Sequence, residues 1–133
     1  MEQAAAHGDD VLTVDEVPHD GLIPRMSALV HAVGAGTTAA GLRAGVPTVP
    51  VPVQLDQSFW AARLTALGVG PGPIPLRQLT ADRLAAALRR TVDNPAYRAL
   101  ARGVAERLAA EDGAGQVIAH VQRLASAGKG TAW

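Results

Sequence analysis

Apolar and polar positions along the chain switch between a short-strand and a helical rhythm. Val11 to Val14 (Val-Leu-Thr-Val) is a short β-branched run and predicts a strand. Pro18 to Met26 reads as a turn with about one helical turn around Leu22 and Ile23. Ala28 to Val33 is nearly all apolar, the pattern of a strand covered on both faces. Gly34-Ala35-Gly36-Thr37 interrupts it, and Thr38 to Ala44 predicts a short helix ended by Gly45. Thr48 to Val53 is the next strand. Its prolines, Pro50 and Pro52, point the same way and cannot donate to a ladder, which predicts an edge or a strand end.

Helical spacing dominates the rest. Ser58 to Leu67 predicts a helix capped by Ser58 and stopped by Gly68, followed by a Gly/Pro connector from Val69 to Pro75. Thr80 caps a helix whose Leu84, Leu88 and Val92 recur every four residues. Asp93-Asn94-Pro95 is a turn. Tyr97, Leu100, Val104 and Leu108 form the stripe of another helix, and Val117, Val121 and Leu124 that of a last one. The order of strand, strand, helix, strand, helix and then helices is the back end of a doubly wound, Rossmann-like parallel sheet with flanking helices. Only about three strands are visible, fewer than such a sheet ordinarily needs, so part of its front is expected to be missing. The predicted organisation is a flexible N-terminus over 1–10, one partial α/β domain over 11–125 and a loose tail over 126–133.

Composition narrows the function classes. A chain of 133 residues fits one domain. Aromatics make up only 3% of it, so Leu, Val, Ile and Ala must build the core. With 12 basic and 12 acidic residues the net charge is zero, and no basic stripe suited to nucleic acid stands out. The absence of cysteine excludes disulfides and thiolate metal sites and suits a reducing compartment. No apolar run reaches the 18 or so residues of a membrane span, and Met1 to Asp10 is not signal-like, so a cytoplasmic protein is expected.

The candidate chemistry sits at the Gly-Ala-Gly turn. Val30-His31-Ala32-Val33-Gly34-Ala35-Gly36-Thr37-Thr38 is a strand, a turn and a helix start, which leaves backbone N–H groups free and aims the positive helix end outward. Phosphate is the natural occupant. No lysine follows, so this is not a Walker-type loop. Three readings stay open on the residues alone. Gly34-Ala35-Gly36-Thr37-Thr38-Ala39 fits the G-x-G-x-x-A fingerprint of an NAD(P)-type dinucleotide domain, with Asp56 about 20 residues on. The turn could also bind nothing and belong to a non-catalytic interaction module. A nucleotide diphosphate-sugar is favoured by His31, placed to donate to a phosphate oxygen, and by Asp56-Gln57, able to bracket sugar hydroxyls with acceptor and donor groups.

His-x-x-Gly-Ala-Gly-Thr-Thr-Ala-Ala-Gly-Leu-Arg-Ala-Gly-Val-Pro-Thr from His31, then Pro52 and Asp56-Gln57-Ser58-Phe59-Trp60, resembles the donor-site signature of family-1 glycosyltransferases of the GT-B fold. Val17-Pro18-His19-Asp20, Gly68-Val69-Gly70-Pro71, Pro73-Ile74-Pro75 and Leu79-Thr80-Ala81-Asp82-Arg83-Leu84 match the branch of sterol glucosyltransferase-like and antibiotic-glycosylating enzymes. The resemblance runs from about Val11 to Arg90 and implies part of the C-terminal half of a GT-B fold. It implies that His31, Gly34, Gly36 and Thr37 contact the diphosphate, that Asp56 and Gln57 hold the transferred sugar, and that the backbone of Val17 and Pro18 faces the base. The implied donor is a UDP- or TDP-sugar and the acceptor a lipophilic sterol- or polyketide-like hydroxyl compound. No metal and no cofactor are implied.

Three departures qualify the resemblance. The usual motif reads His-His-Gly-Gly-Ala-Gly-Thr, whereas Ala32 and Val33 occupy its second and third places. A β-branched residue disfavours positive φ, so the expectation is a β-like turn or an impaired approach of phosphate. Glu16 stands where many relatives carry a base-stacking tryptophan, although the sterol-type branch often lacks that aromatic. The first strand of the domain, with its Gly-Ser phosphate turn, and the N-terminal domain that brings the catalytic histidine base are not in this sequence. The chain alone is therefore expected to be inactive, to need a missing domain or partner chain, and to self-associate through its uncovered surfaces.

Plainer roles remain for several residues. His31 could be a core histidine with one satisfied nitrogen, His19 a turn residue, and His7 and His120 solvent-facing. Asp56-Gln57 could be only a helix N-cap region. Phe59 and Trp60 are expected as packing anchors, Arg89-Arg90 as a solvated helix end, and Asp9-Asp10 as a pair without a partner carboxylate.

Overall fold

The computed structural model describes residues 10–128. A single helical turn, α1 (His19–Leu22), runs into a 3-10 turn (Ile23–Arg25) and leads to β1 (Leu29–His31). Then follow α2 (Ala35–Ala44), β2 (Thr48–Pro50), α3 (Gln57–Ala66), a 3-10 turn (Leu76–Gln78), α4 (Ala81–Asp93), α5 (Pro95–Ala109) and α6 (Gly113–Ala127). The architecture is α/β: β1 and β2 pair in parallel with Leu29 opposite Thr48, Val30 opposite Val49 and His31 opposite Pro50, with α2 as the crossover.

Local sequence explains most boundaries. Gly45 ends α2 in the left-handed conformation at φ 67°, where its N–H bonds back to Gly41 and Leu42. Thr80 caps α4 by accepting from the Arg83 amide at 3.2 Å, and Asn94 caps α5 with Pro95 at the first helical position. Ser58 does not cap α3. That helix begins at Gln57 with Asp56 in the N-cap position, so Ser58 already lies inside it.

The sheet is smaller than the pattern predicts. Val11 to Val14 is exposed coil rather than a strand, because among the described residues no strand lies beside it to accept its ladder bonds. β1 keeps only the centre of the Ala28–Val33 run and is not covered on both faces, since Val30 stays 41% exposed. β2 is an edge of this two-stranded sheet, as expected, yet it is fully buried. Its prolines act as acceptors: Ile74 N–H donates to the Pro50 carbonyl (2.9 Å) and Leu76 N–H to that of Pro52 (3.2 Å), while Thr48 N–H donates to Val69 (2.9 Å). The Gly/Pro connector thus lies along the side of β2 away from β1. Pro50 does close the strand, as proline's missing N–H requires.

The core gathers Val33, Ala61, Leu64, Val69, Ala101 and Val104, drawn from the turn after β1 and from α3, the connector and α5. α5 is tied to the entry of β1 by Arg98, whose Nη2 donates to the carbonyls of Met26 (3.0 Å) and Ser27 (2.8 Å). The stripe expected on α6 does not join this core. Val117, Val121 and Leu124 are each more than half exposed, and α6 buries no residue. α6 also extends to Ala127, so the predicted loose tail from Ser126 starts as helix, while 129–133 and the N-terminal 1–9, including His7 and Asp9, lie outside the described residues.

Gly70 marks the closest approach of the connector to the sheet, because a Cβ there would fall on the carbonyl oxygen of Thr48. Replacing Gly70 by Ala should therefore force connector and strand apart and destabilise the fold by about 3 kcal/mol. The urea midpoint of Gly70→Ala against the parent chain measures this, and an unchanged midpoint would contradict the close packing.

Candidate functional site

The two strands end side by side. His31 lies opposite Pro50, and Val51 N–H donates to the His31 carbonyl at 2.9 Å, so the chain leaves both strands at the same end of the sheet. One exit leads through Ala32–Gly34 into α2, the other through Val51–Asp56 into α3. The crevice outside the carboxyl ends of parallel strands is the common ligand position of such sheets.

Among the helices longer than one turn, capping separates those at this end from the rest. α4, α5 and α6 each have a side-chain cap, with Thr80, Asn94 and Asp112 accepting backbone N–H groups at 3.2, 3.0 and 2.9 Å. α2 and α3, whose first turns open onto the carboxyl end, have none. In α2 the first amide to bond back is Thr38, to the Gly34 carbonyl at 3.0 Å, so the N–H groups of Ala35, Gly36 and Thr37 have no intrahelical acceptor. Neither Gly34 nor Gly36 is needed for fit or for positive φ: a Cβ at either would meet nothing within 4 Å. These glycines leave space above bare amides at the positive end of a helix.

His31 stands at the last position of β1, half-buried. Its Nδ1 accepts from the Val33 amide at 3.1 Å, so in the neutral ring the proton resides on Nε2. That Nε2 is buried and has no partner among the described residues, which makes it a donor awaiting an acceptor. Burial lowers the proton affinity of the ring below the ordinary 6.5, and the charge of nearby His19 lowers it further. His31 is thus the half-satisfied histidine of the plainer reading, with one ring nitrogen bonded and the other buried without a partner.

Val33 corrects the expectation of a β-like turn. Its φ is 68°, so a β-branched residue occupies the left-handed region that glycine would enter freely. The compensation is burial: Val33 is 0% exposed and sits in the main core cluster with Leu64, Val69 and Val104. Because that side chain points inward, it does not fill the space over the turn.

Asp56 and Gln57 remain at the surface side of the α3 entry. One oxygen of each steadies the loop: Asp56 Oδ2 accepts from Trp60 Nε1 (2.9 Å), and Gln57 Oε1 accepts from the amides of Val53 (2.7 Å) and Gln54 (3.0 Å). The second carboxylate oxygen of Asp56 and the amide nitrogen of Gln57 are the groups left to face a ligand. Asp56 occupies an N-cap position without capping through its side chain, so the bare N-cap reading does not account for it. Leu55, 87% exposed at φ 54°, is a second left-handed residue, immediately before this pair.

The structure places Trp60 as the holder of Asp56, a role that the pattern of residues did not predict. The four-residue spacing on one helix face was the available signal. Trp60 packs on the core, but Phe59 is 59% exposed and is not the packing anchor expected of it; the two rings meet edge-on at 5.1 Å. Val17 and Pro18 are exposed ahead of α1, and the Pro18 carbonyl accepts from Gly21 (3.2 Å) and Leu22 (3.3 Å). His19 opens α1, while His120, Arg89 and Arg90 are exposed as expected.

Comparison with known proteins bears on this arrangement. The family model described as erythromycin biosynthesis protein CIII-like, C-terminal domain, matches residues 1–124. A sterol 3-beta-glucosyltransferase of Arabidopsis thaliana is 46% identical over 120 residues, covering 90% of this chain and 19% of the relative. The O-mycaminosyltylonolide 6-deoxyallosyltransferase of Streptomyces fradiae is 46% identical over 104 residues, covering 78% of this chain and 25% of the relative. Among solved structures, the glycosyltransferase VinC in complex with dTDP superposes with a TM-score of 0.82 at 32% identity, covering 90% of this chain and 30% of that one. The chain spans less than a third of the length of each of these three proteins.

Two outcomes follow from the turn. Val33→Gly should relieve backbone strain of about 1–2 kcal/mol but lose a fully buried side chain, for a net destabilisation of about 1–2 kcal/mol. It should leave diphosphate affinity within about twofold; a clear rise in UDP affinity by calorimetry would show that Val33 obstructs the site. The pH dependence has a definite sign. The unfolded ring takes up its proton near 6.5, whereas folded His31 resists protonation until lower pH. Unfolded chains therefore bind more protons in that window, so the contribution is intact above 6.5 and is lost as pH falls through the lowered value. Subtracting the stability–pH curve of His31→Gln from that of the parent should isolate this slope; a flat difference between pH about 5 and 7 would contradict it.

Proposed function

Since the chain belongs to the family of erythromycin biosynthesis protein CIII-like C-terminal domains, we propose that its carboxyl-end crevice holds the nucleotide-diphosphate sugar of a hexosyl transfer to the hydroxyl of a lipophilic acceptor. The pairing of uncapped α2 amides with the unpartnered Nε2–H of His31 carries this reading. A diphosphate set over Gly34, Gly36 and Thr37 receives hydrogen bonds from the first turn of α2 and, once the groups over Nε2 turn aside, from His31. When the bond between the anomeric carbon and the phosphate oxygen breaks, negative charge develops on that oxygen. The helix end is preorganised to stabilise it and the imidazole N–H adds to this once uncovered, and electrostatic stabilisation of this kind ordinarily contributes more to catalysis than any other single effect.

Asp56, through its free oxygen, accepts from a sugar hydroxyl, and the amide nitrogen of Gln57 donates to another. The backbone at Val17 and Pro18 faces the base of a UDP- or TDP-sugar. The acceptor and the base that deprotonates its hydroxyl come from a further domain or a partner chain, and direct displacement inverts the anomeric centre. Any self-association would use the open side of β1 and the outward stripe of α6. A cytoplasmic setting belongs to the same reading. Among the described residues no helix is long and apolar enough to cross a membrane.

Titration with UDP, dTDP and NADH tests the proposal. UDP or dTDP should bind saturably and more tightly than NADH; tighter NADH binding would favour a dinucleotide domain, and a folded chain that binds no diphosphate would favour an interaction module. Gly36→Ala should separate ligand from fold. The added methyl meets nothing within the chain, so the thermal midpoint should hold or rise, whereas diphosphate affinity should fall about tenfold as the methyl enters the ligand's space. Equal affinity in Gly36→Ala would contradict placement of the diphosphate over that residue.

A further inference from the structure

Arginines gather where β1 begins, at the end of the sheet away from the diphosphate crevice. Arg25 on the 3-10 turn and Arg98 and Arg102 on α5 line one cavity of about 640 Å³, where that turn meets the end of α4 and the first turns of α5. The volume lies within the range of about 300–1,000 Å³ usual for small-molecule sites. Every other lining residue is neutral. Neither Asp93, which follows Val92 at the end of α4, nor Glu106, one turn beyond Arg102, is among them. Three arginines thus share a wall that holds no carboxylate, on a chain whose net charge is zero.

The fold accounts for one of the three. Arg98 Nη2 donates to the carbonyls of Met26 (3.0 Å) and Ser27 (2.8 Å), so this half-buried guanidinium ties α5 to the entry of β1. Its partners there are neutral, so they hold it in place without cancelling its charge. Arg102 lies one turn on along the same face of α5, and like charges at that spacing oppose each other. Its stem is seated against the turn that ends α2: a Cβ at Gly45 would come within 3.4 Å of Arg102 Cγ. Exposed Arg25 brings a third positive charge from a distant part of the sequence. Clustered like charges oppose folding, and an anion held among them offsets that repulsion. Guanidinium groups suit such an anion, because each presents a planar fork of N–H donors that matches carboxylate and phosphate oxygens.

We propose that this cavity binds a small polyanion, a molecule with two or more carboxylate or phosphate groups shared among Arg25, Arg98 and Arg102. The site is independent of the diphosphate crevice, which lies where β1 ends. Because the ligand joins the segments that Arg98 already bridges, its binding should raise the thermal midpoint.

Calorimetric titration of the full chain at constant ionic strength tests this, with citrate as the carboxylate probe and inorganic pyrophosphate as the phosphate probe. The pyrophosphate titration is run in saturating UDP, so that the crevice does not contribute. The preferred polyanion should saturate with a Kd at or below about 1 mM and bind at least about tenfold more tightly than acetate. The preference between the two probes identifies the source of the oxyanions. Arg25→Gln combined with Arg102→Gln should weaken that binding at least about tenfold, as the loss of two charge-assisted contacts requires. Arg77→Gln combined with Arg123→Gln removes the same charge outside the cavity and should leave binding within about twofold. All four of these side chains are exposed, so both double variants should fold. No saturable binding of either polyanion, or equal losses in the two double variants, overturns the proposal. His31→Gln should lose UDP affinity and keep the polyanion, so failure at the diphosphate crevice and failure at this cavity are read separately.

Discussion

The hydrogen bond from the Val33 amide to His31 Nδ1 is the contact on which the site depends. It closes a tight bend at the last residue of β1 and decides which nitrogen of the ring carries the proton. At the same bend Val33 lies in the left-handed region, where a β-branched residue is strained. The strain persists because the same residue is an anchor of the core, fully buried against α3, the connector and α5. Packing thus over-determines the bend: the Val33 side chain is pulled inward, its amide turns toward the imidazole, and Gly34 emerges at the start of α2 with its successors' N–H groups outward. A neutral imidazole is also a condition of this geometry, since protonation of Nδ1 would put two donors face to face. Burial, and after it the charge of His19, lowers the proton affinity of His31, which favours the same neutral ring.

Much of the site was legible in the sequence because it rests on local rules. The strand–glycine–helix succession at His31 to Thr38, the left-handed stop at Gly45 and the caps at Thr80 and Asn94 each depend on neighbours a few residues away, and each stands as the pattern implies. What was not legible depends on long-range partners. Val11 to Val14 has strand composition, but a strand exists only where another strand meets it. Pro50 and Pro52 mark the edge and end of β2 but do not reveal that the connector donates to their carbonyls and covers that edge. The stripe of α6 has core spacing, yet periodicity states only that a face is apolar and not that anything covers it. Val33 is the instructive case. Residue preference argued against positive φ there, and burial of the side chain decided otherwise.

The distribution of helix caps connects stability to function. Side-chain caps at α4, α5 and α6 each contribute about 1 kcal/mol by occupying amides that would otherwise lack acceptors. At α2 and α3 the chain forgoes that gain, and at Gly36 it also forgoes the helix-favouring methyl for which space exists. A sequence shaped by stability alone would fill these positions. Among the helices longer than one turn the deficits fall on the two that start at the carboxyl end of the sheet; the single-turn α1 is uncapped as well. Asp56 shows the same logic in a side chain: a residue well suited to cap α3 is instead turned onto Trp60, which leaves its second oxygen outward.

Trp60 links this surface to the interior. Its indole N–H holds Asp56, while its ring packs on the core and forms a wall of a cavity behind α2. The position of Asp56 is therefore set by how firmly the ring is seated, not by the loop alone. Gln57 tethers the same loop from the other side by accepting from Val53 and Gln54. With both neighbours of the bend at Leu55 held in this way, the pair proposed to face the sugar is supported by packing that lies wholly within this chain. A domain that supplies the donor half of a transfer site requires that property, because the half that brings the acceptor cannot correct a loosely held donor.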